Sequence, residues 1–400
     1  VTAFSKPSGQ FGGHGQDDIF NLCGGFYGQD ALWFMPPLPL FTALVDTIIA
    51  ARPNPLITAG ENGASGSTSQ VFWTYTQGVG FALEAAPGFL TTGTGNGGFD
   101  LFVGADGKWT LTFDDSKVTL GSSDHTPVPS APATNTTVDL PSGAQSYNAV
   151  AGDLTVNGGT GYDTISGGVG DYMIGGSGTL GGGLAGDGNC AIYTDSATPV
   201  LVDMANGVGY GGTAEGNTYV NMNQVRGSYN TNVLIGAPTG TDLKSGGDNS
   251  ILISTGGSGF ELRTDGNNNV MVSTVGADRI NFDDTHGWKL GDTGNILLGW
   301  NPSHGDFLDL SILLSGAAIV EAGGGSIASN FFSTSAVGYS AATGHGNISD
   351  YVAMVNQADG THVMFSATGH VQTAGVELVD MKDVYNQNVQ SLFAHGNIVA

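Results

Sequence analysis

Beyond residue 140 the apolar residues recur on a nine-residue beat. With Gly158 as position 1, position 8 falls at Tyr147, Val156, Ile165, Ile174, Gly183 and Ile192, and position 4 at Gly143, Gly152, Gly161, Gly170, Thr179 and Gly188. A second run sets position 8 at Leu234, Leu243 and Leu252 and, after one inserted residue, at Leu262, Met271 and Ile280. Self-similarity at a fixed period is the signature of stacked repeats. The spacing predicts one short strand and one turn per nonapeptide, two nonapeptides per coil, position 8 pointing inward and glycines permitting left-handed turns. Between the runs, residues 191–236 leave the nine-residue phase while staying strand-like, which predicts a lateral excursion or a wider coil.

Nearer the N-terminus the texture differs. LFTALVDTIIAA (40–51) carries a helical stripe at Leu40, Leu44, Ile48 and Ala51 after Pro39. QVFWTYTQGVGFAL (70–83) and FDLFVGADGKWTLTFDDSKVTL (99–120) read as strands, with Asp106-Gly107 as a hairpin turn. A Pro/Ser/Thr-rich linker, SSDHTPVPSAPATNTT (122–137), sets a boundary near residue 130. The expectation is a mainly β chain in three parts. Residues 1–130 form a β-rich domain with one short helix, the candidate assembly module; residues 138–299 form a parallel β-solenoid; residues 300–400 form a β-rich C-terminal domain.

Composition narrows the partners. The 400 residues include 67 glycines yet are 40% hydrophobic, which suits many tight turns between short buried strands better than disorder. Ten basic against 35 acidic residues give a net charge of -25, which argues against nucleic acid or an anionic membrane and suits divalent cations. Only 11% of residues are charged, so Ser, Thr, Asn, Gln and Gly must carry the surface, an arrangement that favours self-association. Cys23 and Cys190 form no CxxC and no disulfide framework, leaving a single bridge between them open. The apolar stretch 31–51 is interrupted by three prolines and Asp46, so no transmembrane segment is expected, and the chain begins at Val1 without a signal-peptide pattern.

The stretch GGTGYDTISGGVGDYMIG (158–175) holds two units: the first fits G-G-x-G-x-D-x-U-x throughout, and the second puts Tyr172 where the aspartate belongs. Together with the segment from Tyr193 through VRGSYNTNVLIG (225–236) and with VGADRINF (275–282), it resembles the repeats-in-toxin (RTX) proteins that Gram-negative bacteria export by type I secretion. GDFLDLSILL (305–314) resembles the opening of the type I secretion target domain, and SLFAHGNIVA (391–400) its final residues. The resemblance implies a divergent RTX-like parallel β-roll, a C-terminal domain read by the secretion machinery, and a secreted, extracellular or cell-surface location. It also implies calcium between stacked turns, bound by the position-6 carboxylate and by backbone carbonyls near positions 1 and 3. Here those are Asp163, Gly158 and Thr160, and oxygen ligands are what a hard cation requires.

Position 6 itself has largely lost its carboxylates. It reads Gln145, Leu154, Asp163, Tyr172, Gly181 and Cys190, then Asn232, Thr241, Ser250, Phe260, Asn269 and Asp278. Only Asp163 and Asp278 keep the charge, which predicts few calcium sites; Asp163 otherwise caps a turn. Amide and hydroxyl ladders are the alternative means of holding coils together without metal. GGHGQDDIF (12–20) and GFYGQDALW (25–33) add Asp17 and Asp30 as calcium candidates.

No HExxH, GxSxG, P-loop or dinucleotide fingerprint is present. Asp17/Asp18, Asp114/Asp115 and Asp283/Asp284 are adjacent, so on a strand they point to opposite faces. His362 and His370 read as surface or satisfied polar residues. The leading expectation is an extracellular structural protein, partnered by copies of itself and attached at the cell surface, that assembles into a surface layer or filament. The alternatives are a hydrolase with an unfamiliar site in residues 1–130, and an adhesin or carbohydrate binder that stacks sugars on Trp33, Trp73 and Trp109.

Overall fold

The computed structural model describes residues 63–68, 71–76, 80–92, 95–104, 109–113, 119–120, 136–149, 152–175, 189–256, 259–282, 293–314, 332–333 and 346–399. The helix expected at 40–51 lies outside them, as do Asp17, Asp30, Cys23 and Trp33. The chain divides into two compact units, residues 1–89 with 96–126, and residues 90–95 with 127–400.

The first unit carries a six-stranded meander in sequence order: β1 (Gly63–Thr68), β2 (Val71–Thr76), β3 (Gly80–Thr92), β4 (Gly95–Gly104), β5 (Trp109–Phe113) and β6 (Thr119–Leu120). β4 and β5 pair antiparallel on either side of Asp106-Gly107, with Val103 opposite Trp109. Phe81, Leu83, Ala85 and Leu101 are buried. Trp73 is only 2% exposed and stacks on Phe81 at 6.1 Å, so it is a core side chain and no platform for a sugar.

The second unit begins with β7 (Thr136–Asp139), β8 (Ser146–Asn148), β9 (Leu154–Asn157), β10 (Thr164–Ser166), β11 (Tyr172–Ile174), β12 (Cys190–Ile192), β13 (Leu201–Asp203), β14 (Val208–Tyr210) and β15 (Thr218–Val220). It continues through β16 (Gln224–Arg226), β17 (Val233–Ile235), β18 (Asp242–Lys244), β19 (Ile251–Ile253), β20 (Phe260–Thr264), β21 (Val270–Val272), β22 (Asp278–Phe282), β23 (Asn295–Leu298) and β24 (Phe307–Asp309). After the two-residue strands β25 (Phe332–Ser333) and β26 (Gly346–Asn347) come β27 (Val352–Asn356), β28 (Gly360–Phe365), β29 (Val376–Lys382) and β30 (Ile398–Val399). Among the described residues its helices are short, Val389–Ala394 spanning six residues.

Two large sheets result, one of nine strands and one of thirteen, and from β7 to β24 the chain alternates between them except at β13–β15. Each repeat strand pairs in parallel with the strand two elements on, except β11, β12 and β13, which pair with the strand four elements on. Leu234 lies opposite Leu252, and Leu252 opposite Met271, in one sheet. Leu243 lies opposite Leu262, and Leu262 opposite Ile280, in the other. All six position-8 residues of the second run are fully buried in one continuous core. A three-residue strand with an inward centre buries one large side chain and leaves its neighbours to pack above and below, so the core is a stack of single apolar layers.

The first run departs from the nine-residue beat. Tyr147, Val156 and Ile165 sit mid-strand as expected, but Met173 and Ala191 are the fully buried centres of β11 and β12, while Ile174 and Ile192 are half-buried. The interval from Ile165 to Met173 is one residue short, and within it the backbone passes close to the neighbouring turn at Gly168. A Cβ there would lie 2.4 Å from the Ala149 carbonyl oxygen. The four described position-4 glycines, Gly143, Gly152, Gly161 and Gly170, all have φ between 75° and 123°, the left-handed region in which a side chain is strained.

Residues 191–236 leave the regular alternation, as their break in phase predicted. β12 and β16 are direct neighbours in one sheet, whereas the other takes three strands, β13, β14 and β15, over the same interval. β14 runs antiparallel to both of its neighbours, interrupting an otherwise parallel stack. At the far end, β27, β28 and β29 pair antiparallel, β29 joins β23 in parallel, and β30 joins β24. Residues 346–399 therefore extend both sheets, and Leu308 lies opposite Ile398, bringing together the two C-terminal segments singled out in the sequence. Among the described residues no helix is long and apolar enough to cross a membrane.

Candidate functional site

At most repeat strands the residue that opens the strand, or the one just before it, ties it to its neighbour: its side-chain oxygen accepts the backbone N–H of the equivalent residue of the earlier strand paired with it in parallel. Before β16, β18 and β20 the pattern is absent: Asn223 Oδ1 has no hydrogen-bond partner, Thr241 Oγ1 accepts from Ala237 N within its own turn, and residue 259 is glycine. In the nine-stranded sheet Gln145 donates its N–H to Asp163 Oδ1 (3.0 Å), Asp163 to Asn189 Oδ1 (2.9 Å), and Asp278 to Asp306 Oδ1 (2.9 Å). In the other sheet Leu154 donates to Asp171 Oδ1 (3.0 Å) and Asp171 to Asn217 Oδ1 (2.8 Å). Further along, Asn232 donates to Ser250 Oγ (3.0 Å), Ser250 to Asn269 Oδ1 (2.8 Å) and Asn269 to Asn295 Oδ1 (2.9 Å). These amide N–H groups are at turns, where the sheet ladders do not reach, and burying them unpaired would cost about 1–3 kcal/mol each.

Asparagine suits the position better than aspartate does, because its amide nitrogen supplies donors of its own. Asn232 Nδ2 shares its two protons among the carbonyl oxygens of Ser228 (2.8 Å), Asn230 (2.6 Å) and Ser245 (2.7 Å), while Oδ1 accepts from Ser228 N and Oγ. Several turn carbonyls thus converge on a hydrogen-bond donor.

Where aspartate is kept, the balance is worse. Asp163 is fully buried and its Oδ2 has no hydrogen-bond partner; burial raises its pKa, against the opposing hydrogen bond from Gln145. Gly158 serves it by absence, since a Cβ there would lie 2.5 Å from Oδ2. The Thr160 carbonyl oxygen accepts the Gly143 N–H at 2.5 Å. Asp171, one residue before the expected position, fills the ladder place at which Tyr172 was expected. Burial pushes it up to about 6, against hydrogen bonds from Gly168 and Leu154. The position was legible only from the strand centre, not from the glycines.

Asp278 and Asp306 form a buried pair. Ser273 Oγ lies 2.8 Å from Asp278 Oδ2 and 2.9 Å from Asp306 Oδ2, but a hydroxyl has one proton to give. Asp306 already accepts from Asn301 N and Asp278 N, which suits an ionised carboxylate. Asp278 meets the hydroxyls of Ser254 and Ser273 at Oδ2, and its Oδ1 has no partner, which suits the protonated form donating to a serine. Burial first, then the Asp306 charge, pushes Asp278 up to about 7. Asp306, outside the predicted nonapeptides, was missed by the sequence reading.

A second missed cluster lies in the C-terminal strands. His362 of β28 faces Asp380 of β29 and is 7% exposed. Its Nδ1 is 2.8 Å from Glu377 Oε2, and its Nε2 is 3.3 Å from Asp359 Oδ1 and 3.6 Å from Asp380 Oδ1. Lys382 Nζ bridges the other oxygens, Asp359 Oδ2 at 2.7 Å and Asp380 Oδ2 at 2.5 Å. The Lys382 hydrogen bond holds Asp359 down to about 2. Burial lowers the pKa of His362, but Glu377, Asp380 and Asp359 outweigh it and the net shift is upward. The polar residues 380 and 382 alternating within an apolar strand were the available signal. His370, by contrast, is exposed at the start of the short helix Val371–Ala374. Cys190 is a free, buried thiol whose pKa burial raises to about 12.

No protein-family model matches the chain, and no curated protein matches it.

Proposed function

We propose that the chain is a secreted structural protein that assembles with copies of itself into a surface layer or filament, its two parallel sheets being the faces of an RTX-like β-roll. The observation that carries this reading is the ladder. Turn after turn is closed by amide, hydroxyl and carboxyl side chains on backbone N–H groups, so the buried repeat residues are used for stacking. Both large sheets also end, among the described residues, in strands with an open edge: β8 and β30 in one, β7 and β27 in the other. Such edges offer unpaired backbone groups to another chain. A sparsely charged, Ser/Thr/Asn/Gly-rich surface does little to repel one.

Export by type I machinery through the C-terminal region, and the extracellular or cell-surface location that follows, rest on the resemblance of residues 305–314 and 391–400. Calcium has a small part in this reading. The ion takes roughly six to eight oxygen ligands, whereas most ladder positions offer an amide or hydroxyl already in use. Asp163 Oδ2 and Asp278 Oδ1 are the ladder carboxylate oxygens left without a partner among the described residues, which makes Asp163, with Gly158 and Thr160, the first calcium position and Asp278 the second. Negative-stain imaging of the secreted protein tests the reading. Regular sheets or filaments support it, and a strictly monomeric species at every concentration, with or without calcium, ends it.

A further inference from the structure

The His362 cluster is arranged as a ligand set. β29 is hydrogen-bonded on both sides, antiparallel to β28 and parallel to β23, so Asp380 stands on a fixed backbone directly opposite His362. A β-bulge displaces the register between Val363 and Met364, pairing Met364 with Glu377 in place of Leu378. The Glu377 carboxylate thereby reaches His362 Nδ1. In the neutral imidazole, a carboxylate on one nitrogen favours the proton on Nδ1, with the Nε2 lone pair directed away from Glu377. That lone pair faces Asp359 Oδ1 and Asp380 Oδ1.

In that tautomer three acceptors converge on one point, an arrangement balanced by a proton on Nε2 or by a metal cation. A proton on Nε2 serves Asp359 at 3.3 Å, but leaves Asp380 Oδ1 at 3.6 Å, beyond a hydrogen bond. Asp380 is 7% exposed, and its Oδ1 is buried with no hydrogen-bond partner. One donor atom from each of Asp359, His362 and Asp380 lies within 4.8 Å of the others. Ligands about 2.0 Å from a tetrahedral ion stand about 3.3 Å apart, close to the two Nε2–oxygen separations. Lys382 occupies the opposite oxygens of both aspartates, leaving the inward pair free. With a neutral imidazole, the three carboxylates and one ammonium leave two negative charges, the complement of a divalent ion.

We propose that Asp359, His362 and Asp380 bind one divalent first-row transition ion of the zinc class, with Glu377 as the residue that positions His362. Imidazole nitrogen with carboxylate oxygen suits such ions, while calcium prefers an all-oxygen shell. Asp359 sits in the exposed turn before β28, so solvent reaches the fourth coordination position. The bound ion ties that turn to β28 and β29 and does not depend on whether the chain polymerises.

The test is calorimetric titration of the chelator-stripped full-length protein with Zn2+ in excess Ca2+ and Mg2+. The expected result is one Zn2+ per chain that His362→Gln abolishes. Glu377→Gln should keep the stoichiometry and weaken binding by about 10–100-fold, the usual effect of removing a partner of a ligating histidine. Cobalt added in place of zinc should give visible ligand-field bands that His362→Gln removes. Should that variant fail to fold, Asp359→Asn in the exposed turn decides, with an expected loss of at least about 10-fold. Zinc affinity unchanged in a folded His362→Gln or Asp359→Asn protein, or displacement of zinc by calcium, overturns the proposal.

Discussion

At the scale of single residues, the ladder explains why carboxylates are scarce at a position that would suit a cation. Asn232 presents its amide nitrogen to three carbonyl oxygens. Asn232→Ala should cost about 1–3 kcal/mol by leaving those groups unsatisfied, read from the denaturant midpoint. Asn232→Asp should cost more, because it turns an oxygen toward oxygens, and added Ca2+ should recover part of the loss. Protonation gives a second expectation. Asp171 is pushed up to about 6, and Asp203 and Asp278 to about 7, all by burial first. Between about pH 4 and about pH 7 the folded chain keeps protons that the unfolded chain has released, so the contribution of these groups to stability falls as pH rises through that window. Thermal melts followed by circular dichroism should show Tm declining from about pH 4.5 to about pH 7. Asp278→Asn, whose amide mimics the protonated acid between Ser254 and Ser273, should reduce the decline, and an equal decline in that variant would count against a proton on Asp278. Asp163 and Asp278 could be picked out in the sequence because their glycine and apolar neighbours kept the beat. Asp171 and Asp306 could not, because a one-residue contraction and an insertion displace them.

At the scale of elements, a strand of three residues contributes its central side chain to the shared core and a turn contributes a left-handed glycine, so each can be tested singly. Leu252 is fully buried between Leu234 and Met271 in adjacent strands. Leu252→Ala should destabilise the chain by about 2–5 kcal/mol. Gly161 has φ 123°, and a Cβ there would lie 2.5 Å from the Gly143 carbonyl carbon. Gly161→Ala should therefore lower Tm, while Gly259→Ala, which meets no atom within 4 Å but shares a left-handed φ, isolates the strain from the clash. Repeat strands were legible because burial of one apolar residue in nine leaves a period in the sequence. The His362 cluster was not, since a cross-strand pair, a bulge and a turn assemble it from residues 359 to 382, and none of these leaves a spacing. The antiparallel β14 strand was foreseen only as a break in phase.

At the scale of the whole molecule, the nine- and thirteen-stranded sheets run from β7 through β30, so residues 346–399 are structurally continuous with the repeats. Across the nine-stranded sheet, Arg263 pairs with Asp242 at 3.1 Å and Arg279 with Asp309 and Glu261, a charged column over successive strands. Much of it is buried, so breaking one partner leaves a costly neighbour. The mainly β class and the two runs of repeats could be read from periodicity alone; the joining of Leu308 to Ile398 could not, because nothing local links residues 90 positions apart. The central claim is that the stack is scaffold, held by its own side chains, whose open edges recruit further copies. Imaging the purified protein by negative stain, with and without a calcium chelator, tests it most directly. The account predicts ordered sheets or filaments in both conditions, because the ladder closes its turns without an ion; monodisperse single chains in both, at every concentration, would contradict it.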